Sequence, residues 1–143
     1  HSLRSEGRID PREGVESLVE RSRQAGMEVE VRYQAGAGPQ SLEELSTMAG
    51  HALNRAVQEG LTNARKHAPG KPVTITIAAL ADALSITMSN PAAQAGEKGS
   101  LHSGGYGIVG MRERASVVGG SLQVNDEEGR FSWTLRLPRK EVQ

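Results

Sequence analysis

Hydrophobic and polar positions along the chain alternate with two distinct periods. From Val15 to Ala25, VESLVERSRQA places Val15, Leu18 and Val19 at helical spacing and stops at Gly26, which suits a helix C-terminus. MEVEVRYQ then alternates Met27, Val29, Val31 and Tyr33 with polar neighbours, the period of a strand with one buried face. A longer helical pattern runs from about Ser41 to His67 with an interruption near Ser46 to Gly50, and Ala52, Leu53, Ala56, Val57, Leu61 and Ala64 form its apolar stripe. VTITIAALADALSITMSN predicts an amphipathic hairpin. Val73, Ile75 and Ile77 alternate with threonines, and Leu84, Ile86 and Met88 with serine and threonine, across a turn at Ala81 to Ala83. Residues 91 to 106 show neither period and predict a long surface loop, a kind that is usually functional inside a compact domain. A short helix from about Ile108 to Val118 stops at Gly119-Gly120. SLQVND, a turn through EEGR, and FSWTLRLP then predict a second hairpin, in which Phe131, Trp133, Leu135 and Leu137 alternate.

Strands that alternate, instead of being apolar throughout, belong to a sheet covered on one side. The expected fold class is therefore α/β, a two-layer sandwich with a mixed, mostly antiparallel sheet and helices on one face. At 143 residues one domain is expected, with residues 1–11 a flexible lead-in, His1-Ser2 read as a cloning remnant, and residues 12–143 the domain. The 17 basic residues balance the 17 acidic ones, which gives no reason to expect nucleic acid or an anionic membrane as the main partner. The absence of cysteine excludes disulfides, thiolate zinc sites and cysteine nucleophiles, and is compatible with a reducing cytoplasm. No apolar run reaches the length of a membrane span, and His1, His51, His67 and His102 lack zinc-ligand spacing.

Two constellations carry candidate chemistry. In HSGGYGIVGMRERA the glycines at 105, 107 and 110 match the G-x-G-x-x-G dinucleotide fingerprint formally, but polar and small residues precede them where that fingerprint needs a buried strand. Independently of the fingerprint, the unpaired N–H groups at the start of the helix near Ile108 suit a phosphate, and Gly105 and Gly107 would let it approach. The alternative is a helix start whose glycines serve turn geometry. In QEGLTNARKHA, Glu59, Asn63 and Lys66 share one narrow helical stripe at ~100° per residue, opposite Leu53, Val57 and Leu61. A solvated face with an i,i+4 pair explains the charges, but asparagine is a mediocre helix former. Its amide oxygen is a suitable Mg²⁺ ligand beside phosphate, whose charge Lys66 can balance.

Together, E-x-x-x-N-x-x-K-H-A on a helix, an alternating hairpin, a long small-residue loop, G-x-G-I-x-G-M-R-E-R and a final hairpin ending LRLP resemble the ATP-binding catalytic domain of sensor histidine kinases, a Bergerat-type fold. Within that superfamily, which also contains gyrase, mismatch-repair ATPases and an anti-sigma-factor kinase, the chain is most similar to the branch partnered with nitrate-response-type (NarL-like) response regulators. The likeness runs from about Gly26 to Pro138. It implies that Asn63 ligates Mg²⁺, that Glu59 lies beside the reacting phosphoryl group or the acceptor helix, and that Lys66 and His67 face the phosphates or ribose. It also implies that residues 91–106 form an ATP lid, and that Gly105, Tyr106, Gly107, Ile108, Gly110 and Met111 belong to the nucleotide-binding glycine box.

One position departs from the pattern. Where the family usually has D-x-G-x-G, this chain has NPAAQ, so Asn90 replaces the carboxylate that accepts from the adenine amino group. An amide can accept from that amino group and donate to the adjacent ring nitrogen; a turn at Asn-Pro is the plainer reading. Arg112, Glu113 and Arg114 are expected on a solvated helix face, with Arg112 or Arg114 within reach of a phosphate or partner domain, and Trp133 is expected in the core.

The resemblance implies ATP and Mg²⁺ as cofactors and transfer of the γ-phosphoryl group to a histidine. No histidine here is followed by Asp or Glu, so the acceptor is expected on a dimerisation domain upstream in the full-length protein. The other implied partner is a response-regulator receiver domain, with no direct nucleic-acid contact, a cytoplasmic location, and membrane attachment only through upstream segments. Two alternatives stay open: a degenerate regulatory nucleotide-binding module, and an anti-sigma-type serine kinase without an upstream acceptor helix.

Overall fold

Elements form where the hydrophobic periods place them, and capping moves their ends. The computed structural model describes residues 11–91, 107–127 and 129–139. Helix α1 spans Pro11–Gln24 and begins before the apolar stripe does, because a proline in the first turn gives up an N–H that has no helical partner there. Its Arg23 donates from Nε and Nη2 to the Val29 carbonyl at 3.0 and 2.8 Å, fixing the turn into β1, Val29–Gln34. The long helical pattern resolves into a 3₁₀ turn, Pro39–Glu44, and helix α2, Thr47–His67. The break falls at Leu45-Ser46, where the Ser46 side chain accepts from the Ala49 N–H at 3.1 Å and caps α2.

Strands β2, Val73–Ala79, and β3, Ala83–Pro91, form the first hairpin. Helix α3, Ile108–Val117, leads to β4, Ser121–Glu127, and β5, Arg130–Pro138. The sheet order is β1-β2-β3-β5-β4, with β1 parallel to β2 and every other pair antiparallel, so the sheet is mixed as expected. The parallel pair requires a crossover, which α2 supplies.

The core lies between one sheet face and the helices. Ile75, Ile77, Leu84, Ile86, Met88, Trp133, Leu135 and Leu137 are buried together with Leu53, Val57 and Leu61 of α2. The alternate positions Thr74, Thr76, Ser85, Thr87, Ser89, Ser132 and Thr134 are half-buried and Arg136 is exposed, and Thr87 and Thr134 share a hydroxyl hydrogen bond of 2.9 Å across β3 and β5. The sequence expectation for β1 fades along the strand: Val29 is buried, Val31 half-buried and Tyr33 36% exposed. β1 is a sheet edge, with cover over its first residues only. Gly60 brings α2 close to the sheet, since a Cβ there would collide with Met88 Sδ and sit 3.0 Å from Trp133.

The α1–α2 contact contains a polar anomaly. The Asn54 amide is buried with no hydrogen-bond partner among the described residues, and a Cβ on Gly14 would lie 2.5 Å from its Nδ2. An unsatisfied buried amide costs about 1–3 kcal/mol. We predict that Gly14→Ala destabilises the domain by about 1–2 kcal/mol, overpacking outweighing the gain in helix propensity. Adding Asn54→Ala should restore stability to at least the wild-type value. Urea unfolding of the three chains checks this, and a double variant no more stable than Gly14→Ala disproves it.

Candidate functional site

Residues one and two turns apart on α2 share a face, and on its polar side Arg55, Gln58, Glu59, Thr62 and Asn63 line an open cleft of about 550 Å³. Gly107, immediately before α3, closes the cleft from the other side. Glu59 and Asn63 of one candidate constellation and Gly107 of the other, far apart in sequence, therefore meet at one cavity.

Gly107 caps α3 in the left-handed conformation, with φ 70° and ψ 22°. A side chain is unfavourable there on two counts: left-handed backbone costs an L-residue about 1–2 kcal/mol, and a Cβ would lie 2.8 Å from Glu59 Oε1. The Glu59 carboxylate rests against this turn. It accepts a hydrogen bond from Arg114 Nη2 at 3.1 Å, and Arg55 Nη2 lies 4.0 Å from its other oxygen. Both Glu59 and Arg114 side chains are 31% exposed. This corrects the expectation of a solvated face over Arg112–Arg114: Arg112 and Glu113 are exposed, but Arg114 turns inward to the α2 carboxylate.

Cleft chemistry is mixed. It offers one carboxylate, two amides, a hydroxyl and an arginine, and among the described residues no three His, Asp or Glu converge to make a metal cage. One amide oxygen beside a carboxylate is a donor set that suits Mg²⁺ already carrying phosphate oxygens and water.

No protein-family model matches the chain. Its sequence is 34% identical over 96 residues to the sensor histidine kinase DesK of Bacillus subtilis, covering 67% of this chain and 25% of that protein. It is 33% identical over 90 residues to the signal transduction histidine-protein kinase/phosphatase UhpB of Salmonella typhimurium, covering 63% of this chain and 17% of that one. The chain thus spans a quarter or less of the length of these relatives. Among solved structures, the catalytic domain of histidine kinase ThkA in a nucleotide-free form superposes with a TM-score of 0.68 at 12% identity, covering 92% of this chain and 94% of that one. A second nucleotide-free form gives 0.67. The fold is that of a histidine kinase catalytic domain.

Within this histidine kinase fold, the residues singled out from sequence separate into groups. Glu59, Asn63 and Gly107 line the cleft. Lys66, on the same stripe, is exposed in the last turn of α2 beside Arg65 and His67, where positive charge also complements the helix C-terminus; neither Lys66 nor His67 is among the described residues lining the cleft. Ile108 and Met111 are buried in the core, so only their backbone can face a ligand. Gly110 sits against the Arg114 guanidinium, with Nη1 3.3 Å from the place of a Cβ. Gly105, Tyr106, His102 and nearly all of the expected lid lie outside the described residues. Asn90 continues β3 opposite Phe131 and donates from Nδ2 to the Pro91 carbonyl at 2.9 Å. Sequence reasoning missed Arg55, Gln58 and Thr62: extending the Glu59–Asn63 stripe back by one turn identifies Arg55, and Thr62 lies three residues on from Glu59, but Gln58 sits ~100° around the helix from Glu59, where only the shape of the cleft brings it in.

Proposed function

We propose that this chain is the ATP-binding catalytic domain of a two-component sensor histidine kinase, and that its cleft presents the γ-phosphoryl group of ATP to a histidine on a separate dimerisation domain. The observation that carries this reading is the meeting of Glu59 and Asn63 with Gly107 at one cavity within a histidine kinase fold. In the transfer, a bond forms between the histidine nitrogen and the γ-phosphorus as the bond to the β-phosphate oxygen breaks, releasing ADP. Such chemistry rests on positioning and charge compensation more than on covalent catalysis. Asn63 supplies the oxygen that holds Mg²⁺, and Mg²⁺, when bound, offsets the charge on the phosphates. Glu59 accepts from the N–H of the attacking imidazole and orients it. Backbone donors at Gly107 and the first turn of α3 hold phosphate oxygens, while Lys66 adds positive potential from the end of α2 and His67 faces the phosphates or ribose. The G-I-x-G-M-R-E-R run supports a response regulator of the nitrate-response (NarL-like) type as the next phosphoryl acceptor.

The test is single-turnover transfer from radiolabelled ATP to a supplied acceptor-helix domain. Absence of transfer with ATP bound would instead favour a regulatory nucleotide-binding module, a reading that the Asn-Pro-Ala-Ala-Gln segment at 90–94 supports.

For adenine, Asn90 is the proposed reader. Its Nδ2 donates to the Pro91 carbonyl, and Oδ1 is the acceptor we assign to the exocyclic amino group. Asn90→Asp should bind ATP about tenfold more tightly, because a charged acceptor adds about 1–2 kcal/mol over a neutral one. Asn90→Ala should lose the preference for ATP over GTP. Calorimetry with both nucleotides decides; equal discrimination in all three chains removes Asn90 from the site.

A further inference from the structure

The two described glycines of the box face side chains instead of open space. At Gly107 the absent Cβ leaves room for the Glu59 carboxylate, and at Gly110 it leaves room for the Arg114 guanidinium one turn later in the same helix. These two side chains are bonded to each other. We propose that Arg114 is a positioning residue for the cleft: anchored on α3, it holds the Glu59 carboxylate of α2 against the Gly107 turn and cancels its charge toward an incoming polyphosphate. This rests on the reading of the cleft as the nucleotide site.

Three observations separate the pair from an incidental ion pair. First, both partners are shielded, each 31% exposed, against 55% and 59% for Arg32–Glu30, 45% and 59% for Arg23–Glu20, and 30% and 42% for Arg139–Glu44, where the arginine is as shielded but the carboxylate is not. Attraction grows as water is excluded, whereas exposed pairs contribute little. Second, Arg114 Nε is buried with no hydrogen-bond partner among the described residues. The side chain thus gives up the hydration of one donor in a pose whose only described bond is to Glu59. Third, the pair joins α2 to α3, the two elements that frame the cleft. A carboxylate at a polyphosphate site repels its ligand, and the arginine removes that repulsion while keeping the carboxylate available to an acceptor.

Without the guanidinium, Glu59 is left as a negative charge at the cleft, and ATP affinity should fall on the order of tenfold. The experiment measures Mg²⁺-dependent ATP binding by calorimetry on the 143-residue chain, for wild type and the variants Arg114→Gln, Arg114→Lys and Glu59→Gln/Arg114→Gln, with circular dichroism melts of each. The expected result is about tenfold weaker binding for Arg114→Gln, a smaller loss for Arg114→Lys, and recovery in the double variant, where no charge remains to be cancelled. A purely structural arginine predicts no recovery, because the double variant lacks the same link between helices. Wild-type affinity in Arg114→Gln, or a double variant as weak as Arg114→Gln, overturns the positioning role while leaving the nucleotide site standing. If the wild-type chain binds no Mg²⁺·ATP, the nucleotide reading itself fails, and the positioning role fails with it.

Discussion

Replacing Asn63 with alanine should abolish most Mg²⁺-dependent ATP binding, by at least on the order of a hundredfold, and phosphoryl transfer should fall with it. Changing even an outer partner of a metal ligand costs roughly 10–100-fold in affinity, and Asn63 is proposed as a direct ligand. Alanine is the best helix former and asparagine a poor one, so the propensity of α2 rises as Asn63 gives up its amide and the interaction it makes within the protein. A cooperative melt retained in the variant, together with lost binding, locates the defect in the site and not in the fold. The check is calorimetry with and without Mg²⁺. Undiminished, Mg²⁺-dependent binding by Asn63→Ala would falsify the assignment of the metal to this helix face.

Replacing Gly107 with valine should reduce phosphoryl transfer by about two orders of magnitude. Its backbone is left-handed, at φ 70°, where a β-branched residue is a genuine outlier. The new side chain would also occupy the space of the Glu59 carboxylate, since Cβ alone comes within 2.8 Å of Oε1. Either α3 unwinds its first turn, removing the backbone donors proposed for phosphate, or Glu59 swings away from the position in which Arg114 holds it. Both routes would disturb the end of the cleft proposed for the reacting phosphate. Preparative positioning of this kind is sensitive to displacements of about 1 Å, which can cost on the order of a hundredfold. Rates measured with saturating ATP and the acceptor domain test the prediction, and a Gly107→Val chain that transfers at the wild-type rate excludes Gly107 from the centre.

Much of the architecture was readable from periodicity. The alternation of Val73, Ile75 and Ile77, of Leu84, Ile86 and Met88, and of Phe131, Trp133, Leu135 and Leu137 identified the buried sheet face, because consecutive strand side chains point to opposite sides. The stripe of Leu53, Val57 and Leu61 identified the face of α2 that covers it. Element ends were less legible. The interruption expected near Ser46 to Gly50 falls at Leu45-Ser46, because the Ser46 hydroxyl accepts from the Ala49 N–H and caps α2, and apolar spacing does not place such a cap to the residue. Tyr33 keeps the strand period but is exposed, since whether a strand lies at the edge of a sheet depends on partners elsewhere in the chain.

The cleft shows the same division. The stripe bearing Glu59 and Asn63, and the glycines ahead of α3, follow from residue types and spacing within single segments, so the sequence by itself determined which groups could act. Only the tertiary structure decided that Glu59, Asn63 and Gly107 lie together: it formed one cavity between α2 and Gly107, turned Arg114 onto Glu59, and made Gly110 the space that arginine occupies. The physical reason is range. Period and propensity are set by neighbours within a turn or a strand, whereas a salt bridge spanning 55 positions depends on how two helices pack over a shared sheet.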